Sequence, residues 1–539
     1  MMTASSRSLP TVSGRVDSIG VPMRLASIAC LSLLLVSGAA NAADGSSTEA
    51  WTQWLEDLGR PIWSGGPRYE VTQGGVLEVD DSVCPQIVAV FGTCFGNNAA
   101  APYIVPEPPI DGTYVDPYYA TPFTTPGVTG APSNMIYRLA PTDALVTVVE
   151  LPPQAAYLGY QSYLFSREIS DYPTKVRGQV VSPDPDRYEI FGSVGNDMNN
   201  VILGQQLGQV WNGGAAVYIT TANERLADIL VARAGKRGLD TDRIIVEPLG
   251  KLVDPGTGPQ SDDFITLIRY ALPKNADAAE TWMGNLAANV QTFRVSAPPT
   301  SAVKRFATPS YTPKEPTSEA RLKASQRELT LLLRRWLREQ EGPGVLVEPM
   351  ITSDHVNGKG EPYGLVGQDC IAKGTSCVGD NQDTDAYRIA VVGRMGDTQT
   401  TFVAGVNHTR TDNASYVSLA IYDMADFTGA ASASQSNPRA VGFNRGTLSG
   451  SAARVLKAIG KYGAASAALK ADLPLLYVSA VSRKCRPALG TDCVTISAAD
   501  LPPSSFVSIT QRAYVKPGTT TGADPDVMLT PIAVFRPRF

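Results

Sequence analysis

The chain has 539 residues, of which 43% are apolar and 18% are charged, and its formal net charge is −5. This length and composition suffice for two or three domains with full hydrophobic cores, and they exclude a largely disordered chain. Residues 1–42 carry three arginines and one aspartate, so they contribute +2 and the rest of the chain carries −7. That acidic balance argues against a nucleic-acid partner, because phosphate binding needs clustered positive charge.

Residues 1–42 have the pattern of a signal peptide. A basic segment ends at Arg24, an apolar run covers residues 25–36, and small residues lead to Ala40-Asn41-Ala42. This pattern predicts export with cleavage, and the apolar run is shorter than a bilayer span requires. An uncleaved anchor is the alternative interpretation. We expect an extracytoplasmic protein, periplasmic or secreted, with no membrane span after cleavage.

Six cysteines follow the leader and fall into three close pairs. The pairs are Cys84 with Cys94, Cys370 with Cys377, and Cys485 with Cys493. In an exported chain such spacing predicts three local disulfides. Metal binding by the thiols is the alternative, but the pairs are far apart in sequence and the chain has only two histidines.

The segment 43–134 is rich in Gly, Pro, Tyr and Asn, and we expect it to precede the first domain. Trp51 and Trp54 share a helical face with nearby leucines, which predicts a short helix that packs on the body. The Pro-rich run 102–132 predicts an extended loop. Its interleaved tyrosines either contact a ligand or cover a core; they are Tyr103, Tyr114, Tyr118 and Tyr119.

From residue 135 the chain changes to β-branched and aromatic runs bounded by turns, which predict strands. The predicted strands cover residues 145–151, 157–165, 188–194, 215–221, 244–247 and 264–272. Residues 223–236 have a helical apolar face, with Asn223 as N-cap and Gly238 past the end. We expect residues 135–295 to form an α+β domain with helices on one side of a largely antiparallel sheet.

Residues 296–343 combine a Pro-rich linker with the longest predicted helix, from about Ser318 to Glu341. Its leucines and Trp336 follow helical spacing, Thr317 or Ser318 caps its start, and Gly342-Pro343 stops it. We expect this linker and helix to join two domains.

Residues 344–539 repeat the earlier order with changes and form the second predicted α+β domain. The predicted strands are 387–392, 400–406, 416–422, 475–481 and 506–515, with a helix at 450–460. Strand 475–481 matches the earlier strand at 217–221. After it, a short loop with Cys485 and Cys493 takes the place of the first domain's helix.

Short strings occur once in each half of the chain. Cys94-Phe95-Gly96-Asn97-Asn98 resembles Cys377-Val378-Gly379-Asp380-Asn381, Tyr137-Arg138-Leu139-Ala140 resembles Tyr387-Arg388-Ile389-Ala390, and Phe264-Ile265-Thr266-Leu267 resembles Phe506-Val507-Ser508-Ile509. These strings predict an internal duplication. The predicted fold class is therefore α+β, with two related, mainly antiparallel sheet domains and flanking helices. We recognise no characterised family in these residues.

The second copy carries more ionisable side chains than the first. Its Asp380, Asn381, Asp383 and Asp385 could present several oxygens in one turn-rich loop, as Ca²⁺ requires. The spacing does not match an EF-hand, and the alternative is an Asx-rich turn that satisfies its own backbone. We expect at most a structural calcium ion here, and no required cofactor.

Both histidines, His355 and His408, lie in the second half. His408 ends an apolar strand, so it could act as a general base beside Arg410, which would hold a developing negative charge. His355 follows Asp354, whose charge could raise the histidine's pKa. The alternative for each histidine is a purely structural role.

The sequence contains no G-x-S-x-G, no H-E-x-x-H, no P-loop and no redox C-x-x-C. The first functional hypothesis is an exported hydrolase- or lyase-like enzyme with its site in the second domain or the interdomain cleft. The alternative is a non-catalytic envelope or secreted protein that binds a small-molecule or oligomeric extracellular ligand. The sequence does not decide whether the protein is an enzyme, and it leaves the oligomeric state open.

Overall fold

The described part of the chain begins at residue 46. The computed structural model describes residues 46–60, 69–79, 83–91, 94, 103–110, 113–127, 130–168, 184, 186–211, 213–352, 366–374, 376–377, 379–385, 387–424, 428–429, 441–443, 449–498 and 501–538. We call residues 46–296 the first half, residues 297–322 the connecting segment, and residues 323–538 the second half. The fold is α+β, with several antiparallel sheets.

The first half alternates short strands with helices. Its helices are α1 (Thr48–Gly59), α2 (Cys84–Phe91), α3 (Pro117–Phe123), α4 (Asn200–Leu207), α5 (Glu224–Lys236), α6 (Ala276–Met283) and α7 (Leu286–Asn289). Its strands are β1 (Glu70–Gln73), β2 (Gly75–Val79), β3 (Tyr103–Glu107), β4 (Thr124–Pro126), β5 (Pro132–Asn134), β6 (Ile136–Tyr137), β7 (Asp143–Glu150), β8 (Ala155–Glu168), β9 (Arg187–Ser193), β10 (Met198–Asn199), β11 (Ala215–Thr221), β12 (Ile244–Pro248), β13 (Asp263–Pro273) and β14 (Val290–Ser296).

The second half is shorter, and its described residues form fewer helices than those of the first half. Its helices are α8 (Lys323–Glu341), α9 (Gly367–Lys373), α10 (Ser451–Ala458) and α11 (Ala467–Asp472). Its strands are β15 (Leu346–Pro349), β16 (Ile351–Thr352), β17 (Arg388–Arg394), β18 (Thr400–Val406), β19 (Tyr416–Asp423), β20 (Thr428–Gly429), β21 (Val441–Phe443), β22 (Leu476–Ser482), β23 (Cys493–Thr495), β24 (Phe506–Tyr514) and β25 (Ile532–Phe535).

Each half has one sheet covered by helices, which we call its flank sheet. The strand order is β1-β14-β7-β11-β12 in the first half and β15-β25-β18-β22-β23 in the second. In both flank sheets every neighbouring pair is antiparallel except the last, where β12 runs parallel to β11 and β23 runs parallel to β22. The two flank sheets therefore share one order and one pattern of strand directions.

Each half also has a second sheet, which we call its junction sheet. Its order is β10-β8-β13-β3-β2 in the first half, with β9 and β6 added, and β16-β17-β24-β19-β20 in the second, with β21 added. In each half the central strand, β13 or β24, follows the parallel strand of the flank sheet along the chain. The junction sheet packs one face on the flank sheet of its own half.

The helices cover the flank sheets because each presents one apolar stripe. In the first half Trp51, Trp54 and Leu230, from α1 and α5, lie in one core with the flank-sheet strands. In the second half Leu329 and Leu333 of α8 pack with β18 and β25 in the same way. The longest helix therefore belongs to the second half's own core.

Most predicted elements are confirmed within two or three residues. Asn223 caps α5 through a hydrogen bond from the Leu226 amide to its side chain, as predicted. Strands β14 and β25, each an inner strand of a flank sheet, were not predicted. Two further regions differ from the prediction. The Pro-rich run 102–132 contains β3, α3 and β4, and α8 begins at Lys323, five residues later than predicted, because a separate 3₁₀ turn at Ala320–Leu322 precedes it.

All three predicted disulfides are present: Cys84–Cys94, Cys370–Cys377 and Cys485–Cys493. The third lies in the connection between the parallel strands β22 and β23, where the first half has α5. Three disulfides fit an extracytoplasmic protein. Among the residues described, none of the helices has the length and apolar character needed to cross a bilayer.

The junction sheets of the two halves contact each other through aromatic side chains. Tyr157 of β8 lies 5.0 Å from Tyr514 of β24, and Tyr514 stacks on Tyr416 at 4.5 Å between ring centroids. The connecting segment also bridges the halves, since the Tyr311 hydroxyl donates to the Ser193 carbonyl at 2.9 Å and accepts from the Gln368 amide at 3.1 Å.

Candidate functional site

A cavity of about 50 Å³ is lined by residues of both halves. Its walls combine apolar side chains with two arginines and two tyrosines. The lining residues are Val79, Ile87, Cys94, Tyr103, Val105, Met135, Phe191, Ile265, Leu267 and Arg269 from the first half, and Gly379, Tyr387 and Arg512 from the second. At roughly 10–15 Å³ for one water, this space holds a few water molecules or one small ligand.

Side-chain alternation along β13 places Arg269 in the cavity wall. Ile265, Leu267 and Arg269 are spaced two apart, so they share the face that points away from the flank sheet. Arg269 is 2% exposed and donates from Nη2 to the Tyr163 hydroxyl at 2.6 Å. Its Nη1 lies 3.5 Å from Oδ1 of Asp197 and has no hydrogen-bond partner among the described residues.

Arg512 of β24 enters the cavity from the second half. Its guanidinium lies 4.8 Å from the centroid of the Tyr387 ring and 5.9 Å from that of Tyr422, so both rings offer it cation–π contact. Tyr387 donates its hydroxyl to the Gly379 carbonyl at 2.6 Å, which holds the phenol in the wall.

Both arginines keep their positive charge despite burial. Burial acts to lower the pKa of Arg269 and of Arg512, but nearby phenol groups outweigh it and raise both pKa values above the ordinary range. Tyr103 contributes to the shift of each arginine, so its phenol lies near both guanidiniums. One end of the cavity is therefore cationic.

The predicted calcium loop is buried against the first half. Asp380 accepts hydrogen bonds from the Ser193 amide at 2.7 Å and the Ser193 hydroxyl at 2.6 Å, and from the Gly367 amide at 2.8 Å. Asp383 accepts from the Asn199 side chain at 2.7 Å and from the Tyr157 hydroxyl at 2.8 Å.

The two remaining members of that loop bind the backbone. Asn381 accepts from the Asp383 amide at 2.7 Å, which is an Asx turn, and Asp385 accepts from the Ala513 amide at 3.0 Å. No group of three or more histidines, cysteines or carboxylates in the described ranges could hold a metal ion. The loop carboxylates thus join the halves, and calcium binding stays a prediction.

Asp197 and Asp383 form a carboxylate pair beside Arg269. Burial and the charge of Asp383 raise the pKa of Asp197 well above its usual value. Burial also raises the pKa of Asp383 to about 7, although the hydrogen bonds from Tyr157 and Asn199 act against the rise. Because their pKa values are raised, Asp197 and Asp383 are partly protonated near pH 7. Their negative charge therefore does not fully balance the positive charge of Arg269 and Arg512.

His408 is 1% exposed and pairs with a carboxylate of the connecting segment. Its Nδ1 lies 2.8 Å from Oε1 of Glu319, which also accepts from the Thr411 hydroxyl and the Asn413 amide group. The other oxygen of Glu319 accepts from the Leu529 amide at 2.9 Å. This pair holds residue 319 outside the helix and explains the late start of α8.

Of the two other predicted catalytic residues, Arg410 lies in the described part of the chain and His355 lies outside it. Arg410 is exposed, whereas His408 is buried. The structure places neither Arg410 nor His408 in the wall of the cavity. Their catalytic roles stay predictions.

Sequence reasoning missed Arg269, Arg512, Asp197 and Glu319. For Arg269 a local signal existed, because a charged residue follows two apolar ones at a spacing of two on one face of a strand. Glu319 and Asp197 have no such signal. Their partners His408 and Asp383 are distant along the chain.

No known protein family and no curated protein matches this chain. The solved structures that are similar to it include the following two. One is the VPA0106 protein from Vibrio parahaemolyticus, at 8% identity and a TM-score of 0.32, covering 79% of this chain and 92% of that one. The other is a protein from Burkholderia cenocepacia described as uncharacterized, at 9% identity and a TM-score of 0.33, covering 84% of this chain and 86% of that one.

Proposed function

We propose that the protein is an exported, non-catalytic protein that binds a small ligand in the cavity between its two halves. The observation that supports this is the cavity itself, since both junction sheets contribute to its wall. Its lining has the composition typical of ligand sites, mostly apolar with a few polar groups that converge at one end. An arginine from each half lies at that end.

The geometry favours binding over the hydrolase- or lyase-like hypothesis. The imidazole of His408 is 1% exposed and does not line the cavity. A general base must reach a substrate proton directly or through one water. The ion pair with Glu319 supports a role for His408 in anchoring the connecting segment.

We infer that the two halves arose by internal duplication. The shared strand orders of the flank sheets, each ending in one parallel pair, support this inference. The matching strings Tyr137-Arg138 and Tyr387-Arg388 each lie at a strand that neighbours the central strand of its junction sheet, since β6 pairs with β13 and β17 pairs with β24. We propose further that residues 1–42 direct export to the periplasm or the exterior.

A fragment screen with a cavity-filling variant tests the proposed function. Leu267→Phe adds bulk inside the cavity, at a stability cost of about 1–3 kcal/mol. Its control is Val391→Phe, which adds the same kind of bulk at a position that is 43% exposed. Ligand-observed NMR should find fragments that bind the wild type and Val391→Phe but not Leu267→Phe. Fragments that bind all three proteins equally, or no binding to the wild type, would exclude this cavity as the site.

A further inference from the structure

The two ends of the cavity differ in chemistry. At one end lie the guanidiniums of Arg269 and Arg512 with the phenols of Tyr103 and Tyr387. Most of the other lining residues are apolar. They are Val79, Ile87, Cys94, Val105, Met135, Phe191, Ile265 and Leu267.

The cationic end can donate more hydrogen bonds than the described part of the protein accepts. Nη1 of Arg269 is buried and has no hydrogen-bond partner in the described part of the chain. Its ion-pair partner Asp197 lies at 3.5 Å, beyond the usual length of an N–H···O bond. A ligand that places a hydrogen-bond acceptor beside Nη1 would stabilise this buried donor, and a negatively charged acceptor would stabilise it most.

We propose that the cavity binds a small monocarboxylate, with the carboxylate at Arg269 and Arg512 and a short alkyl tail against the apolar wall. This inference rests on the proposed function and names its ligand class. A guanidinium holds a carboxylate through two parallel N–H···O bonds, and two guanidiniums offer a choice of such geometries. The apolar wall selects against phosphate, which would leave acceptor oxygens facing it. The volume of about 50 Å³ selects against long-chain acids.

Calorimetric titration of the wild-type protein tests the ligand class without any variant. Acetate, propionate and butyrate are compared with neutral butyramide and with inorganic phosphate, at one ionic strength kept with sodium chloride. We expect affinity to rise by about fourfold per added methylene until the cavity is full. Butyrate should bind at least tenfold more tightly than butyramide, because a hydrogen bond to a charged group is the stronger one.

Two variants locate the carboxylate. Arg512→Gln removes one charge and should weaken butyrate binding at least tenfold, with butyramide unaffected. Arg512→Lys keeps the charge but loses the planar fork, so it should recover only part of the affinity. Thermal melting of each variant verifies that it is folded, and Arg335→Gln, at an exposed position of α8, is the matched control that should bind as the wild type does.

The outcomes separate this inference from the proposed function. Equal binding of butyrate and butyramide, or tighter binding of phosphate, overturns the monocarboxylate class and leaves the cavity a ligand site. Butyrate that binds Leu267→Phe as well as it binds the wild type shows a site elsewhere and overturns the inference. If none of these ligands and no fragment of the screen binds the wild-type protein, the proposed function is excluded as well.

Discussion

Glu319 and Asp383 are 2% and 0% exposed, yet the pKa of the first is lowered to about 2 and that of the second is raised to about 7. Burial acts to raise both values, so the difference comes from the neighbours. Glu319 forms an ion pair with a cationic His408 and accepts further hydrogen bonds, which together outweigh its burial. For Asp383, the hydrogen bonds from Tyr157 and Asn199 and the charges of Arg269 and Lys314 lower the pKa but do not outweigh burial.

The two carboxylates also join different parts of the molecule. Glu319 attaches the connecting segment to the loop at His408 in the second half. Asp383 attaches the second half to Asn199 and Tyr157 of the first half. The first attachment is a full ion pair, and the second is a set of hydrogen bonds to a group that is partly neutral near pH 7. Substitutions at the two sites should therefore differ in size and in pH dependence.

The largest effect is expected for Glu319→Gln. The change places an amide NH₂ among groups that donate to Glu319 and leaves His408 without its counter-charge, so we expect the free energy of unfolding to fall by about 3–5 kcal/mol. Chemical denaturation at pH 6 measures it. The control is Glu280→Gln at an exposed position of α6, which should stay within about 0.5 kcal/mol of the wild type. A loss below about 1 kcal/mol for Glu319→Gln would contradict the role of the pair.

The stability that the His408–Glu319 pair contributes should be confined to a pH window. Burial acts to lower the pKa of His408, but Glu319 outweighs it and raises the pKa above 6.5, so this contribution is lost as pH rises through the raised value. The pKa of Glu319 is lowered from 4.5 to about 2, so the stability that ionised Glu319 contributes is present above pH 4.5. That stability is lost as pH falls toward 2. The stability difference between wild type and Glu319→Gln should be largest from about pH 4.5 to 6.5. A difference that does not change from pH 3 to pH 9 would refute the coupling.

Local patterns predicted the strands and helices, but they did not predict these attachments. The alternation along residues 264–272 identifies β13, and the stripe of Leu226 and Leu230 identifies α5, because each pattern follows from one element's own geometry. The close cysteine pairs predicted the disulfides for the same reason. A contact such as that between Asp383 and Tyr157 depends on how whole sheets pack, and no spacing along the chain encodes it.

The Asp-rich loop shows the same limit for the candidate site. Its oxygens predicted a cation ligand set, since nothing in residues 380–385 indicates that Ser193, Asn199 and Tyr157 donate to it. Arg512 is similar, because an arginine near the end of a strand gives no sign of the rings that surround it. The chemistry of each group was readable from the sequence, but its partner was not.

Tyr157→Phe should have an intermediate effect that grows with pH. The variant loses the hydroxyl that donates to Asp383, and a bond to an ionised carboxylate is stronger than one to a neutral group, so we expect a loss of about 1–2 kcal/mol at pH 8 and less at pH 5. The matched control is Tyr270→Phe, whose hydroxyl donates to the Pro153 carbonyl at 2.7 Å. Its loss should not change with pH. A parallel pH profile for the two variants would show that Asp383 does not titrate in this range.

The smallest effect at pH 5, and the sharpest contrast with Glu319, is expected for Asp383→Asn. An amide resembles the protonated acid, so the variant should lie within about 1 kcal/mol of the wild type at pH 5. The Asp383 carboxyl has a pKa of about 7 in the folded protein and an ordinary value of 3.8. The free energy of unfolding of the wild type should therefore fall as pH rises from 3.8 to about 7, because the folded state resists losing this proton. The Asp383→Asn variant has no such carboxyl, so its free energy of unfolding should rise relative to that of the wild type over this pH interval. The control Asp526→Asn, at an exposed position, should keep a constant difference from the wild type. Denaturation curves at pH 4, 6 and 8 measure the trend. If the variant instead loses stability relative to the wild type as pH rises, Asp383 is a carboxylate that the fold keeps ionised, as Glu319 is, and the contrast between the two is refuted.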